Sequence, residues 1–203
     1  LKDMNREPTV YQTVQVIINT LKDPNEKKSN PGKLAALRNS VGKEYEAATD
    51  VWPLILPFMP DEFMGNGKST FAEKAIYITL QLYAIGMQGA AKNVDMDEQS
   101  NSMGESFRAL RSDDSTAVDR RFNTLITSST FDEFAYHLRQ LFKLGKSKGN
   151  FSVNFPKLAE DLYWYQRGNN KQICLKWAKD YYRRIYSSEK LEPTINESVS
   201  DNN

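Results

Sequence analysis

Apolar residues recur along this chain at three- and four-residue intervals almost from end to end, and that period admits helices while leaving little that could form a sheet. Val10, Val14, Ile17, Ile18 and Leu21 make one stripe, opened by Pro8-Thr9. After a polar connection from Lys22 to Gly32, a second stripe follows through Leu34, Leu37, Val41 and Tyr45. Trp52 to Leu56 predicts a short hydrophobic helix or turn, interrupted by Pro57 and Pro60. Thr70-Phe71-Ala72-Glu73 has the spacing of a capping box and opens the longest apolar segment, through Ile76, Leu80, Tyr83 and Met87.

Further along, the pattern predicts a short helix over 102–111, one around Val118, Phe122, Leu125 and Ile126, and one capped by Thr130 that ends near Gly145. Two more, roughly 156–166 and 169–187, carry Leu158, Leu162 and Trp164, then Ile173, Trp177, Tyr181 and Ile185. The expected fold is all-α, a helical bundle of about eight to nine helices divisible into two packed lobes. Its expected parts are an N-terminal helix and linker over 1–32, a helical lobe over 33–91 and a C-terminal bundle over 102–187. The stretch from Lys92 to Asn101 is the expected boundary, and 188–203 is expected to be a disordered acidic tail.

A chain of 203 residues can bury a core. It has no apolar run near the eighteen residues a bilayer span requires, so no membrane partner is expected. The first residues lack the apolar core of a secretory signal, and the single cysteine, Cys174, permits no internal disulfide, so a cytoplasmic location is expected. The formal net charge is +1; the tail from Ser188 carries −3, which leaves the body at +4. That mild excess allows a local phosphate-tracking surface.

Catalytic constellations are absent from the pattern. Gly65-Asn66-Gly67-Lys68-Ser69-Thr70 resembles the end of a phosphate-binding loop, yet Glu62 stands where the first glycine belongs and no strand precedes it, so an ordinary loop and helix N-cap is expected. His137 is the only histidine, which rules out multi-histidine metal sites, and it has no serine or cysteine motif beside it. Cys174, between Ile173 and Leu175, reads as a small core residue. Asp95, Asp97 and Glu98 lack the spacing of a calcium loop, and Glu160-Asp161 point about a hundred degrees apart, Asp161 being expected to fix a helix contact. No metal, cofactor or catalytic residue is expected.

Basic residues remain. Arg108 and Arg111 are three apart, and Arg139 and Lys143 four apart, so each pair is expected to share a helical face suited to successive phosphates. Glu105, Asp113, Asp114, Asp119, Asp132 and Glu133 are interspersed and would make the same faces ordinary solvated ones.

The order of several short segments resembles the CasB family, the small subunit of the type I-E CRISPR Cascade complex. Lys33-Leu34-Ala35-Ala36-Leu37-Arg38, Val51-Trp52-Pro53 and Ala75 to Ala84 carry the resemblance in the first half. Ser102-Met103-Gly104, Arg108-Ala109-Leu110-Arg111, Asp119-Arg120-Arg121-Phe122, His137 to Leu141, Leu158 to Leu162 and Trp177 to Tyr182 carry it in the second. The match runs from about Lys33 to Arg184. Gly86-Met87 and Glu105 depart from the family pattern, in which a histidine and glutamine and a basic residue are common.

The resemblance implies an all-α subunit without enzymatic activity, present in two copies beside other Cascade subunits in a ribonucleoprotein. It would help to hold crRNA and target DNA and to steady the R-loop. Arg38, Arg108, Arg111, Arg120, Arg121 and Arg139 are the nucleic-acid contacts it implies, one of Arg120 and Arg121 being expected to point inward. Helical spacing and the adjoining basic loop add Lys143, Lys146 and Lys148.

Overall fold

The computed structural model describes residues 9–22, 30–89, 102–112, 116–149 and 151–183. Helices α1 (Val10–Leu21), α2 (Pro31–Asn39), α3 (Trp52–Ile55), α4 (Phe71–Gly86), α5 (Met103–Arg108), α6 (Thr116–Ile126), α7 (Phe131–Lys148), α8 (Phe155–Trp164) and α9 (Asn170–Tyr182) follow one another. No β-strand occurs among the described residues, and the all-α expectation holds. The expected boundary at 92–101 and the tail at 188–203 lie outside the described residues, as do Asp95, Asp97 and Glu98.

Local sequence chemistry starts these helices. Thr9 and Gln12 form one capping box and Thr70 and Glu73 another, each supplying side-chain acceptors to amides that the first turn leaves unpaired. Thr130 caps α7 through the Glu133 N–H, and Asn154 caps α8. All five apolar residues of the α1 stripe are buried. They lie against α8 and α4, and α4 in turn packs on α2, α7 and α8, so segments distant in sequence share one apolar core.

Helix α4 is buried almost all round, from Ala72 to Gly86 except Lys74. A helix of that kind must pair its polar side chains internally. Tyr77 donates to the carbonyls of Ser40 (2.8 Å) and Lys43 (3.1 Å), and Gln81 Nε2 donates to Ser40 O (3.0 Å). These bonds hold the turn that follows α2 onto α4. Tyr45 is buried there as the stripe predicts, although it sits in a 3-10 turn beyond α2, while Val41 and Met87 are only half-buried.

Two helix ends differ from expectation. Helix α5 stops at Arg108, because Leu110 turns inward to a buried position and its N–H bonds to Phe107 O. Helix α7 passes through Gly145 and ends at Lys148, with Gly149 taking the left-handed cap (φ +75°). Gly145 is needed for packing: a Cβ there would lie 2.8 Å from the Phe151 ring.

Helices α5, α8 and α9 are locked by close contacts. Gly104 presses on the α9 backbone, where a Cβ would stand 2.0 Å from Trp177 O. Trp177 Nε1 donates to Asp161 Oδ2 at 2.8 Å, the helix contact expected of Asp161, and Lys157 Nζ lies 3.4 Å from Asp161 Oδ1. Burial nevertheless pushes the Asp161 carboxyl above its ordinary pKa.

Gly104→Ala is therefore expected to destabilise the fold by about 1–3 kcal/mol, opposite in sign to the helix-propensity gain at an open site, as read by urea unfolding. Asp161→Ala, which leaves the buried Trp177 N–H unpaired, is expected to cost about 1–3 kcal/mol in the same measurement.

Candidate nucleic-acid interface

Four of the nine basic residues singled out in the sequence converge, together with two that sequence reasoning missed. Helix α4 forms the floor of a seam whose walls are α2 with its following turn on one side and α7 on the other. At one end a cleft of ≈ 450 Å³ is lined by Arg38, Val41, Ile85, Gln88, Lys143, Lys146 and Ser147. At the other, a cleft of ≈ 190 Å³ is reached by Lys43, Lys74 and Arg139, with Glu44 and Asp132. The seam thus gathers six cations against two carboxylates.

Helical spacing explains the α7 contribution: Arg139, Lys143 and Lys146 stand at steps of four and three and so share one face. The α4 contribution comes from its carbonyl end, which carries partial negative charge and has orphan acceptors. Arg38 Nη1 donates to Ala84 O at 3.2 Å, and Lys146 Nζ donates to Ile85 O. Two cations from different helices are thereby drawn to one spot. Desolvation, followed by the nearby Arg38 charge, pushes the Lys146 ammonium below its ordinary pKa.

Lys43 and Lys74 were missed because neither lies in a helical cation pair. Lys43 sits in the turn pinned by Tyr77, and Lys74 is the one residue between Ala72 and Gly86 of α4 that reaches the surface. Only tertiary folding brings them to Arg139.

The other expected contacts lie elsewhere. Arg108 and Arg111 do not share a helical face, since α5 ends between them. Arg108 Nη2 is 3.4 Å from Glu105 and its Nη1 donates to Asp180 O at 3.5 Å, a tie between α5 and α9. Arg111 Nε donates to Asp119 Oδ1 at 3.2 Å, with its guanidinium 5.2 Å from the rings of Tyr181 and Tyr182.

Arg120 and Arg121 are both exposed, contrary to the expectation that one points inward, because Val118, Phe122 and Leu125 supply the whole buried face of α6. Arg120 opens onto a shallow cleft that also holds Asp119 and Glu133. Lys148 is exposed at the end of α7 and lines neither cleft of the seam. A further basic strip that the sequence reading passed over runs along α9, where Lys176, Lys179 and Arg183 accompany Asp180.

Among the described residues, the groups weighed for catalysis are engaged within the fold. Ser69 N donates to Glu46 Oε1 at 2.8 Å and Thr70 N to Glu73 Oε2 at 2.7 Å, so carboxylates of the chain occupy the amides a phosphate would need in the Gly67-Lys68-Ser69 loop. The Ser69 amide holds the Glu46 carboxyl down at about 2. His137 faces Glu133 at 3.9 Å, and burial pushes the Cys174 thiol up to about 11, far from a thiolate nucleophile. Among the described residues no group of side chains is arranged to hold a metal ion, and no helix is long and apolar enough to cross a membrane.

No protein of curated function matches the sequence. Among solved structures, the chain is similar to CasB from Thermobifida fusca, with 22% identity, a TM-score of 0.63, and 86% of this chain and 96% of that one covered. It is similar to M. ruber CasB at 19% identity and a TM-score of 0.65, covering 87% and 94%. A chain of a CRISPR RNA-guided surveillance complex gives 18% identity and a TM-score of 0.66, covering 85% and 93%. At these identities the likeness speaks for the fold. The family described as CRISPR-associated protein Cse2 matches residues 33–182, which span the seam and the α5–α9 bundle, and the chain accordingly belongs to that family.

Proposed function

We propose that this protein is a non-catalytic subunit of a type I-E CRISPR Cascade complex that holds nucleic-acid backbone, crRNA or target DNA, along the α2–α4–α7 seam. The observation that carries the reading is the convergence of Arg38, Lys43, Lys74, Arg139, Lys143 and Lys146 from four chain segments onto one seam with two carboxylates. Cations that follow one another along a seam suit successive backbone phosphates, the contacts that position a strand without reading its bases. Sequence choice would then rest with the guide, and protein contacts to the backbones would tip a nearly balanced strand exchange toward the R-loop. Arg120, Arg121, Arg111 and Lys148 would serve as outlying contacts, and Arg108 chiefly as a tie within the fold. Other Cascade subunits and a second copy of the chain are the proposed protein partners, in the cytoplasm.

A second reading, a helical protein–protein adaptor, is favoured by one observation. Phe71, Trp164 and Met64 are 51%, 41% and 38% exposed, and Arg167 lies 5.4 Å from the rings of both Tyr163 and Trp164, a composition common at interface hot spots. An apolar interface changes little with salt, whereas phosphate binding weakens steeply as counterions are released.

Binding of the full chain to single-stranded DNA and RNA across a salt series separates the two. Salt-sensitive, sequence-tolerant binding is expected, and Lys143→Ala/Lys146→Ala should lower the log–log salt slope by about 0.7 for each contact removed. Arg108→Ala should instead lower the thermal midpoint. Salt-independent binding, or a double variant that binds like the wild type, would remove the seam from the function.

The depressed pKa of Lys146 gives a pH test. Lys146 loses its charge below the 10.5 of an ordinary lysine, so affinity should fall as pH rises through that lowered value. Fold stability should move the other way, because the folded state disfavours the charged ammonium. Lys146→Arg should keep its affinity across the same titration.

A further inference from the structure

Helix α9 turns Trp177, Asp180 and Tyr181 inward, to Asp161 of α8, Ser102 before α5 and the Phe122 ring of α6. Gln172, Leu175, Lys176, Lys179 and Arg183 recur at helical spacing on a second face, and with Asp180 at its edge they line a shallow groove of ≈ 470 Å³. All of that lining comes from α9 and the residue after it, so no other described element walls the groove. Leu175 stands 55% exposed among the cations.

A bare phosphate backbone matches this face poorly. An aliphatic side chain offers it nothing, and the Asp180 carboxyl already takes one of the cations, with Arg183 Nη2 3.3 Å from Oδ1. A segment that carries carboxylates beside an apolar side chain matches both the lysines and Leu175.

The chain holds such a segment directly after the helix. Residues 184–203 lie outside the described residues, and their sequence sets Glu189, Glu192, Glu197 and Asp201 against Arg184 and Lys190, with Leu191 and Ile195 between the carboxylates. Arg183 leaves α9 in an extended conformation (φ −56°, ψ 127°). Leu175 is eight positions before Arg183 and Leu191 eight after it. The first interval covers about 12 Å at helical rise and the second up to about 26 Å of extended chain, which leaves length for a reversal. Tethering supplies an effective concentration on the order of millimolar, so surface ion pairs that are weak singly suffice.

We propose that residues 184–203 return over α9, seating an apolar side chain on Leu175 and carboxylates against Lys176, Lys179 and Arg183. The acidic segment is then the internal occupant of the α9 basic face and closes it to other polyanions until it is displaced. This contact is independent of strand holding at the seam.

The test reads paramagnetic broadening of amide signals in the full chain, with Cys174→Ala and a nitroxide on Ser198→Cys; should Cys174→Ala alter the amide spectrum, Cys174→Ser replaces it. At low salt the amides of Leu175, Lys176 and Lys179 are expected to broaden at least about threefold more than that of Arg121 on α6, and about 0.5 M salt should remove the excess. Lys176→Glu/Lys179→Glu is expected to abolish it, as is Leu175→Asp, which leaves every cation in place. Adding Glu189→Lys/Glu192→Lys to the lysine variant should restore it, which a merely structural effect of those lysines would not allow.

No excess broadening at low salt overturns the proposal, and so does excess that persists in Lys176→Glu/Lys179→Glu. A mixture of spin-labelled chain with unlabelled isotopic chain identifies the source: broadening between molecules makes a second copy the occupant and overturns the internal contact. If a short oligothymidine shifts the α9 amides of a chain whose label never broadens them, the face is a nucleic-acid contact and the proposal falls.

Discussion

The bonds from Tyr77 and Gln81 to the turn after α2 are what the rest of the molecule's surface depends on. A helix buried on every side has nowhere to place a phenol or an amide except against another backbone, and here that backbone is the Ser40–Lys43 turn. Pairing the Tyr77 hydroxyl and the Gln81 amide nitrogen therefore fixes the wall of the seam, sets Lys43 at its lip and leaves Arg38 beside the end of α4. The core and the charged surface are one construction, because the same helix supplies apolar contacts to α1, α2, α7 and α8 and anchoring groups to its cationic neighbours.

Taking cations out of water has an electrostatic cost, which the depressed pKa values of Arg139 and Lys146 express, and at Lys146 the nearby Arg38 charge adds to it. The carbonyl end of α4 offsets part of it at Arg38 and Lys146, through direct hydrogen bonds and the helix dipole. At Arg139 no comparable acceptor is present, and Glu44 and Asp132 act only at a distance. The two ends of the seam thus differ in kind: at one the cations bond to helix carbonyls, and at the other a half-buried guanidinium has no ion pair among the described residues.

Much of the fold was legible because α1, α6, α7 and α8 carry their periodicity on the surface of the sequence, and Thr9, Thr70 and Thr130 mark the starts of α1, α4 and α7. The ends were harder to read, since Gly145 looks like a stop and is in truth a seat for the Phe151 ring. Spacing made the candidate site legible along α7, where Arg139, Lys143 and Lys146 reveal a face, and the family resemblance added Arg38 on α2. Its other half arises from a turn and a buried helix meeting α7 in space, which no local pattern encodes. Arginine pairing misled for the same reason: Arg108 and Arg111 look like neighbours on a helix until Leu110 turns the chain inward.

The loop before α4 adds a point about self-occupancy. Glu46 and Glu73 accept from the amides that an incoming anion would seek, so the chain carries its own anions at that helix start. A glycine-lysine-serine run is here insulated from cellular nucleotides by an internal competitor at effectively fixed concentration. The cations that remain open to external anions are those of the seam, where Glu44 and Asp132 line one cleft without forming an ion pair with Arg139 among the described residues.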